Sequence, residues 1–316
     1  MEIGVMRKNG ILFSTMVMLV TSGAASADNF RSEINISESI TKSDIPGHPN
    51  ALKNQINAFS GTYYFRDVAT NNHPLAEAAF LERSNSIGLA YENDRWRNKN
   101  SYIGFTVNGE PRSTTEGLTT QTTTSWAAAV NFYIPNSIFY VGGSLSESHF
   151  KDRSRYHNGE EFIYWSFPDD TSTSWRLRAG VTPTEGLLVW SEFYKDQELD
   201  DEWNINAKYV MDWNGNAVNL EASYDRSYNK YENPHIWSDH INDVRLMLAV
   251  DYYLDRTLSL GVTYDRYDLK SWETNYGLRL RKFFTNKFAI DASFMTSDRT
   301  YDYKAENYQV GATLRF

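Results

Sequence analysis

The sequence predicts an all-β fold: a transmembrane antiparallel β-barrel of about fourteen strands, with short turns at one end and longer loops at the other. Three observations predict it. Segments of roughly ten residues alternate apolar and polar with period two, and that length lets a tilted strand cross a bilayer. The connections between these segments alternate between tight and long. The composition pairs a mean hydropathy of −0.56 with 21 Tyr, 17 Phe and 9 Trp. A membrane barrel gives this combination because lumen-facing residues dilute the lipid-facing ones in any hydropathy window.

At the start of the chain, Arg7 and Lys8 precede the apolar run ILFSTMVMLV, residues 11–20, and Ala25-Ser26-Ala27 follows as an A-x-A cleavage site. The run is about half of what a membrane-spanning helix needs, so residues 1–27 are expected to be a secretory signal peptide. Residues 28–53 are Ser-rich and charged, with Pro46, Gly47 and Pro49 and no sustained period. They are expected to form a mobile periplasmic N-terminal extension, followed by an outer-membrane barrel over 54–316. The chain contains no cysteine, so an exported protein of this size relies on ladder hydrogen bonds in place of disulfides and offers no thiol for catalysis or metal binding. A formal net charge of −9 argues against nucleic acid as a partner.

Alternating segments then fall near 57–66, 84–92, 99–108, 121–133, 136–147, 172–182, 186–195, 202–213, 216–226, 242–254, 257–267, 272–283, 287–298 and 304–316. The joins YIPNS, TPTEG, WNGN, YLDRT and FFTNK are tight; those over 148–171 and 227–241 are the longest. Counting back from Phe316 at the periplasmic rim puts all five tight turns, and the short join 93–98, on the periplasmic side. The connection 67–83 then becomes the first external loop. A soluble sandwich has no reason to sort its loops by length in this way.

The last segment, YQVGATLRF, separates cleanly by parity. Tyr308, Val310, Ala312, Leu314 and Phe316 point one way, and Gln309, Gly311, Thr313 and Arg315 the other. The apolar face is expected to meet lipid, and the polar face the lumen.

The stretch HPLAEAAFLERSNSIGLAYEN, residues 73–93, resembles the putative general bacterial porin family of Gram-negative bacteria. The signal peptide, chain length and terminal strand are similar to that family as well. The resemblance implies a passive outer-membrane diffusion channel for small hydrophilic solutes and ions, embedded among outer-membrane lipid and lipopolysaccharide. It also implies that Tyr308, Val310, Leu314 and Phe316 form a terminal signal read by the outer-membrane assembly machinery. The acidic-aromatic-glycine motif of the trimeric porins' constriction loop is absent, so the resemblance fixes neither gating geometry nor oligomeric state.

Opposite parity assigns the lumen face. Its charged members are Arg176, Arg178, Glu192, Lys208, Glu221, Asp225, Arg245, Asp251, Asp265, Arg279, Arg281, Asp291 and Arg315. On the lipid face an Arg or Lys near the midplane would cost roughly 2–4 kcal/mol, so their common phase points to a wet interior. They either brace and solvate the wall or set conductance and ion preference. Basic residues lie mainly on even strands and acidic ones on odd strands. A two-residue turn at Asn214-Gly215 places Lys208 opposite Glu221. Loops at 284–286 and 254–256 place Arg279 opposite Asp291 and Arg245 opposite Asp265, and Arg178 meets Glu192. Such pairing predicts weak ion selectivity.

The loop 148–171 carries His149, Lys151, Asp152, Arg153, Arg155, His157, Glu160, Glu161, Asp169 and Asp170 around FIYWSF. It is either a constriction folded into the pore or a solvated cap on the rim. PLAEAAFLER has apolar residues at helical spacing and is expected to form a short packing helix in the first loop. Two other classes remain. Asp239-His240 and Asp169-Asp170 resemble the acid pair and Asp-His arrangement of omptin proteases, in which His activates a water. Those enzymes have ten strands, however, and the six histidines (48, 73, 149, 157, 235 and 240) all fall in expected loops or the extension. The other class is a loop-based adhesin. The reading adopted is a channel with no catalytic residues, no metal and no cofactor.

Overall fold

The computed structural model describes residues 29–45, 48–70, 73–98, 105–107, 110–112, 117–157, 162–196, 202–229, 241–267, 273–299 and 303–316. The expected signal peptide lies outside them. The strands, in chain order, are β1 (Asn29–Ile45), β2 (His48–Ala69), β3 (Ser86–Asn98), β4 (Phe105–Val107), β5 (Glu110–Arg112), β6 (Gly117–Tyr133), β7 (Phe139–His157), β8 (Phe162–Ser166), β9 (Asp170–Thr184), β10 (Leu187–Asp196), β11 (Glu202–Trp213), β12 (Asn216–Asn229), β13 (Ile241–Asp255), β14 (Leu258–Tyr267), β15 (Glu273–Thr285), β16 (Phe288–Arg299) and β17 (Tyr303–Arg315). Fourteen of them form a closed antiparallel barrel, each paired with its neighbour in sequence, with β1 against β17 completing the ring. Closure leaves the barrel no unpaired strand edge within the membrane. β4 and β5 pair only with each other, and β8 pairs only with the far end of β7.

Parity divides the wall as the alternation requires. Large apolar side chains of one parity stand exposed around the outside, among them Leu89 at 66% and Leu278 at 60%. Burying such residues against water-free lipid is what holds a barrel in a membrane. The turns at 185–186, 214–215, 256–257 and 286–287, the join 134–138 and the connection 70–85 lie at one end, here the turn end; the opposite ends of the strands form the loop end. At the hairpin tip, Asn214 and Gly215 have φ of 51° and 84°. A type I′ turn needs positive φ at both positions, which Asn and Gly tolerate.

The strand count agrees with the sequence reading, but through two compensating corrections. Residues 29–45, expected to be a mobile extension, form β1, which pairs with β17 from Glu33↔Arg315 to Asp44↔Lys304. The alternation was there in Ile34, Ile36 and Ile40, but Ser, Asn and Thr on the intervening positions resembled a loop. The barrel therefore begins well before residue 54. Conversely, the strand expected over 99–108 has no place in the ring, where β3 pairs directly with β6: 105–107 pair only with 110–112, and 99–104 and 108 lie outside the described residues. Residues 93–98, expected to be a periplasmic join, continue β3. Losing 99–108 as a strand moves the connection 70–85 to the turn end, whereas it was expected to be a first external loop; gaining β1 restores the even count.

The expected loop 148–171 is largely strand. β7 runs on to His157 against β6, as far as Gly117↔Tyr156, and β8 returns along it. β6, β7 and β8 thus project beyond their neighbours at the loop end.

Candidate functional site: the lumen wall and the segment across its mouth

Every charged residue assigned to the lumen from parity lies on the inner face, opposite in phase to the exposed apolar residues. Lys208 faces Glu221 in register, with Nζ–Oε1 at 3.3 Å, and Trp213 faces Asn216. Glu192 faces Arg178, whose Nε donates to Oε1 at 2.7 Å, while Arg176 lies 4.0 Å from Glu192 and its guanidinium covers the Tyr194 ring. Two expected pairs are corrected. Arg281, not Arg279, faces Asp291, at 3.6 Å, because the turn is the two residues 286–287 and the register shifts between Phe283 and Thr285. A similar irregularity between Tyr253 and Asp255 puts Arg245 opposite Tyr267. Arg245 still reaches Asp265 diagonally, with two hydrogen bonds of 2.9 Å.

Arg279 is redirected inward and across. It binds Asp251 two strands away on β13 and lies 3.3 Å from Glu221 on β12. The register Asp251↔Gly261↔Arg279 explains the reach: the residue between them has no side chain. Arg178 likewise extends over Gly142 to Asn131 at 3.3 Å. Asn219 closes the cluster by donating to Glu221 at 2.8 Å and to Asp251 at 3.0 Å. Asp225 accepts from Ser223 at 3.0 Å.

The other side of the lumen is small and hydroxylated. Asn35, Ser39 and Thr41 of β1 bond Thr313 and Asn307 of β17, while Ser125, Ser146, Ser148 and Ser174 pair along β6, β7 and β9 at 2.6–2.8 Å. The inner wall is therefore charged along β9 to β17 and mostly hydroxyl and amide along β1, β6 and β7, with Glu33, Asp152 and, on β3, Glu92 and Asp94 as its acids.

The turn-end mouth is crossed by the connection 70–85. Its residues Leu75–Glu77 form a 3-10 turn and Ala78–Leu81 a helical turn, α1. It leaves β2 and re-enters β3, the second and third strands around the ring, yet it touches β11 and β13, the eighth and tenth. It therefore spans the lumen. Leu75 is fully buried against Phe283 and Ala289; Ala78 packs with Phe30, Tyr64 and Val68. The Leu75 N–H donates to the Arg256 carbonyl at 2.8 Å, and the Arg256 guanidinium bonds the carbonyls of Thr70 and His73. Arg315 Nη1 donates to the Leu75 carbonyl at 2.7 Å, its Nε pairs with Glu33 at 2.7 Å, and its guanidinium is held between the Phe30 and Phe283 rings. Glu77, 5% exposed, accepts from the Tyr253 hydroxyl at 2.6 Å and binds Lys208 Nζ at 2.7 Å. Lys208 Nζ also sits 5.2 Å over the Phe80 ring.

Of the loop residues considered for a constriction, Lys151, Asp152, Arg153 and Arg155 lie on the β7 extension. Lys151 pairs with Asp169 at 2.9 Å, and Asp152 accepts from Gln121 at 2.9 Å. Glu160, Glu161, Asp239 and His240 lie outside the described residues. The narrowing element among the described residues comes from the opposite end. On β17, Tyr308, Val310 and Phe316 are exposed on the outer face, whereas Leu314 is covered, with Ile34 and Phe288 opposite it in register.

A family profile described as "Putative general bacterial porin" matches residues 6–316. The chain belongs to this family. Solved outer-membrane barrels share its fold. The Acinetobacter baumannii outer membrane protein Omp33 is 18% identical over 92% of this chain and 100% of its own, with a TM-score of 0.57. The Ralstonia pickettii toluene transporter TbuX is 8% identical over 92% and 90%, with a TM-score of 0.58. A TodX monoaromatic hydrocarbon channel variant is 9% identical over 94% and 92%, with a TM-score of 0.57. At such identities the likeness concerns the fold. No curated protein matches the sequence. As a member of this family the porin is an outer-membrane barrel with a channel role, and its turn end is accordingly the periplasmic one.

Proposed function

We propose that this porin is a water-filled channel for passive diffusion of small hydrophilic solutes and ions, without catalytic activity. The observation that carries the reading is the inner wall: a charged arc facing a hydroxylated arc inside a closed barrel whose outside is apolar. Ions meet mostly paired charges there, which supports weak discrimination between small cations and anions. The segment 70–85 sets the narrowest passage, at the periplasmic mouth. The reading includes export by a signal peptide over residues 1–27, contact with lipopolysaccharide-containing lipid, and assembly through the apolar face of β17. Liposome swelling tests it. Vesicles containing the protein should swell in uncharged sugars at rates that fall with sugar size. No swelling above that of empty vesicles would overturn it, and cleavage of peptide or phospholipid by the purified protein would overturn the absence of catalysis.

A further inference from the structure

Most contacts that dock the crossing segment involve its main chain or apolar side chains. Glu77 supplies the charged one. It is a buried carboxylate, delivered by a connection rather than by the wall, into donors that belong to the wall: the Tyr253 hydroxyl and the Lys208 ammonium. Beside it opens a cavity of about 300 Å³, bordered by Arg279, Arg281, Asp291 and Ser293 as well as by Glu77 and Lys208. That volume suits a solute of a few carbon atoms. Arg281 is held loosely, 3.6 Å from Asp291 with its side chain 43% exposed, so it meets an incoming anion before the seat does.

We propose that the Glu77 seat is a recognition site for small carboxylate solutes, which compete with Glu77 for Lys208 and Tyr253 and thereby release the segment from the mouth. This inference rests on the channel reading and deepens it. Charge balance makes the event an exchange. Around the cavity three bases (Lys208, Arg279 and Arg281) face four acids (Glu77, Glu221, Asp251 and Asp291). A second carboxylate beside Glu77 would add a further unpaired negative charge in a poorly solvated place, whereas one that takes Glu77's position leaves the balance unchanged. Displaced, Glu77 finds water at the mouth. A neutral solute has nothing to exchange and leaves the segment in place. The ratio of released to seated segment should rise as one plus the carboxylate concentration over its dissociation constant, about elevenfold at ten times that constant.

The test is single-channel recording of the purified protein in planar bilayers, with potassium acetate replacing potassium chloride at matched conductivity. Wild-type open fraction should rise and saturate with acetate. Glu77→Gln should be open in chloride alone and should ignore acetate. Tyr253→Phe, which removes one donor and keeps the Lys208 pair, should raise the basal open fraction and reduce the fold-rise that a given acetate concentration produces. Wild-type open fraction equal in acetate and chloride, beside a Glu77→Gln channel that is open, would overturn this inference and leave the channel reading standing. An acetate response that persists unchanged in Glu77→Gln or Tyr253→Phe would overturn it too. If neither wild type nor any variant conducts, the channel reading fails first.

Discussion

Lys208 and Glu221 face each other at 3.3 Å, but each also has a second partner: Glu77 at 2.7 Å from Lys208, and Arg279 at 3.3 Å from Glu221. Removing either charge therefore has a signed and unequal effect. Lys208→Gln leaves two carboxylates short of their ammonium. Glu221→Gln leaves Lys208 still bound to Glu77 and Arg279 still bound to Asp251. An ion passing about 5 Å from one unpaired charge in water feels roughly 0.8 kcal/mol, reduced to about 0.5 by a Debye length of about 10 Å at 0.1 M salt. Favouring one sign and opposing the other by that amount changes the cation-to-anion permeability ratio about fivefold. Reversal potentials in asymmetric KCl read this ratio from open channels alone. Lys208→Gln should move it toward cations by about fivefold or more, and Glu221→Gln toward anions by less. Exchanging the two residues should restore most of the ratio while still disturbing Glu77. Shifts in the same direction, or none in either variant, would refute the pairing.

Three further expectations follow from the same wall. Gly261→Ala would drive a Cβ into Asp251 Oδ1 and place it 2.9 Å from the Val250 carbonyl, so Arg279 must leave Asp251; overpacking of this kind costs about 1–3 kcal/mol, read as a lower unfolding temperature in detergent, and an unchanged temperature would contradict the reach across β14. Arg315→Gln strands a Glu33 whose guanidinium partner is 4% exposed, which should destabilise barrel closure by about 3–5 kcal/mol. Glu33→Gln in the same chain should recover part of that loss, and no recovery would count against the pair. Phe316→Ser keeps the main-chain bonds of Phe316 to Arg31 and Ser32 while removing the exposed ring; assembly into outer-membrane vesicles should slow, and unchanged assembly would remove the ring from the assembly signal.

Much of the barrel was legible because its physics is local. Tyr308, Val310 and Phe316 declare a lipid face by alternation alone, and Asn214-Gly215 declares a turn by the positive φ values those residues favour. Lys208 and Glu221 followed from that turn by counting. The miscounted pairs show where counting stops. The irregularities near Phe284 and Leu254 leave no mark in composition, yet each changes a register. Arg279 was assigned to an adjacent strand because sequence reasoning paired neighbours, whereas Gly261 let it pass over one. β1 was missed because its lumen side is Ser, Asn and Thr, residues that also build loops. That omission hid Glu33, and the false strand at 99–108 reversed the side on which 70–85 lies, so Glu77 and Tyr253 were not recognised as lumen partners. The helical spacing of PLAEAAFLER was read correctly as packing. Its seat inside the barrel depends on contacts more than 170 residues apart, such as Tyr253 with Glu77.

The proposed function places a water-filled passage through this barrel, narrowest where residues 70–85 cross its periplasmic mouth. Single-channel conductance tests it most directly, comparing wild type with a variant in which residues 73–83 are replaced by a short Gly-Ser turn. Discrete current steps are expected in both, with larger steps and a longer open time in the shortened variant. Steps of equal size in the two proteins would contradict the constriction, and the absence of steps in both would contradict the channel.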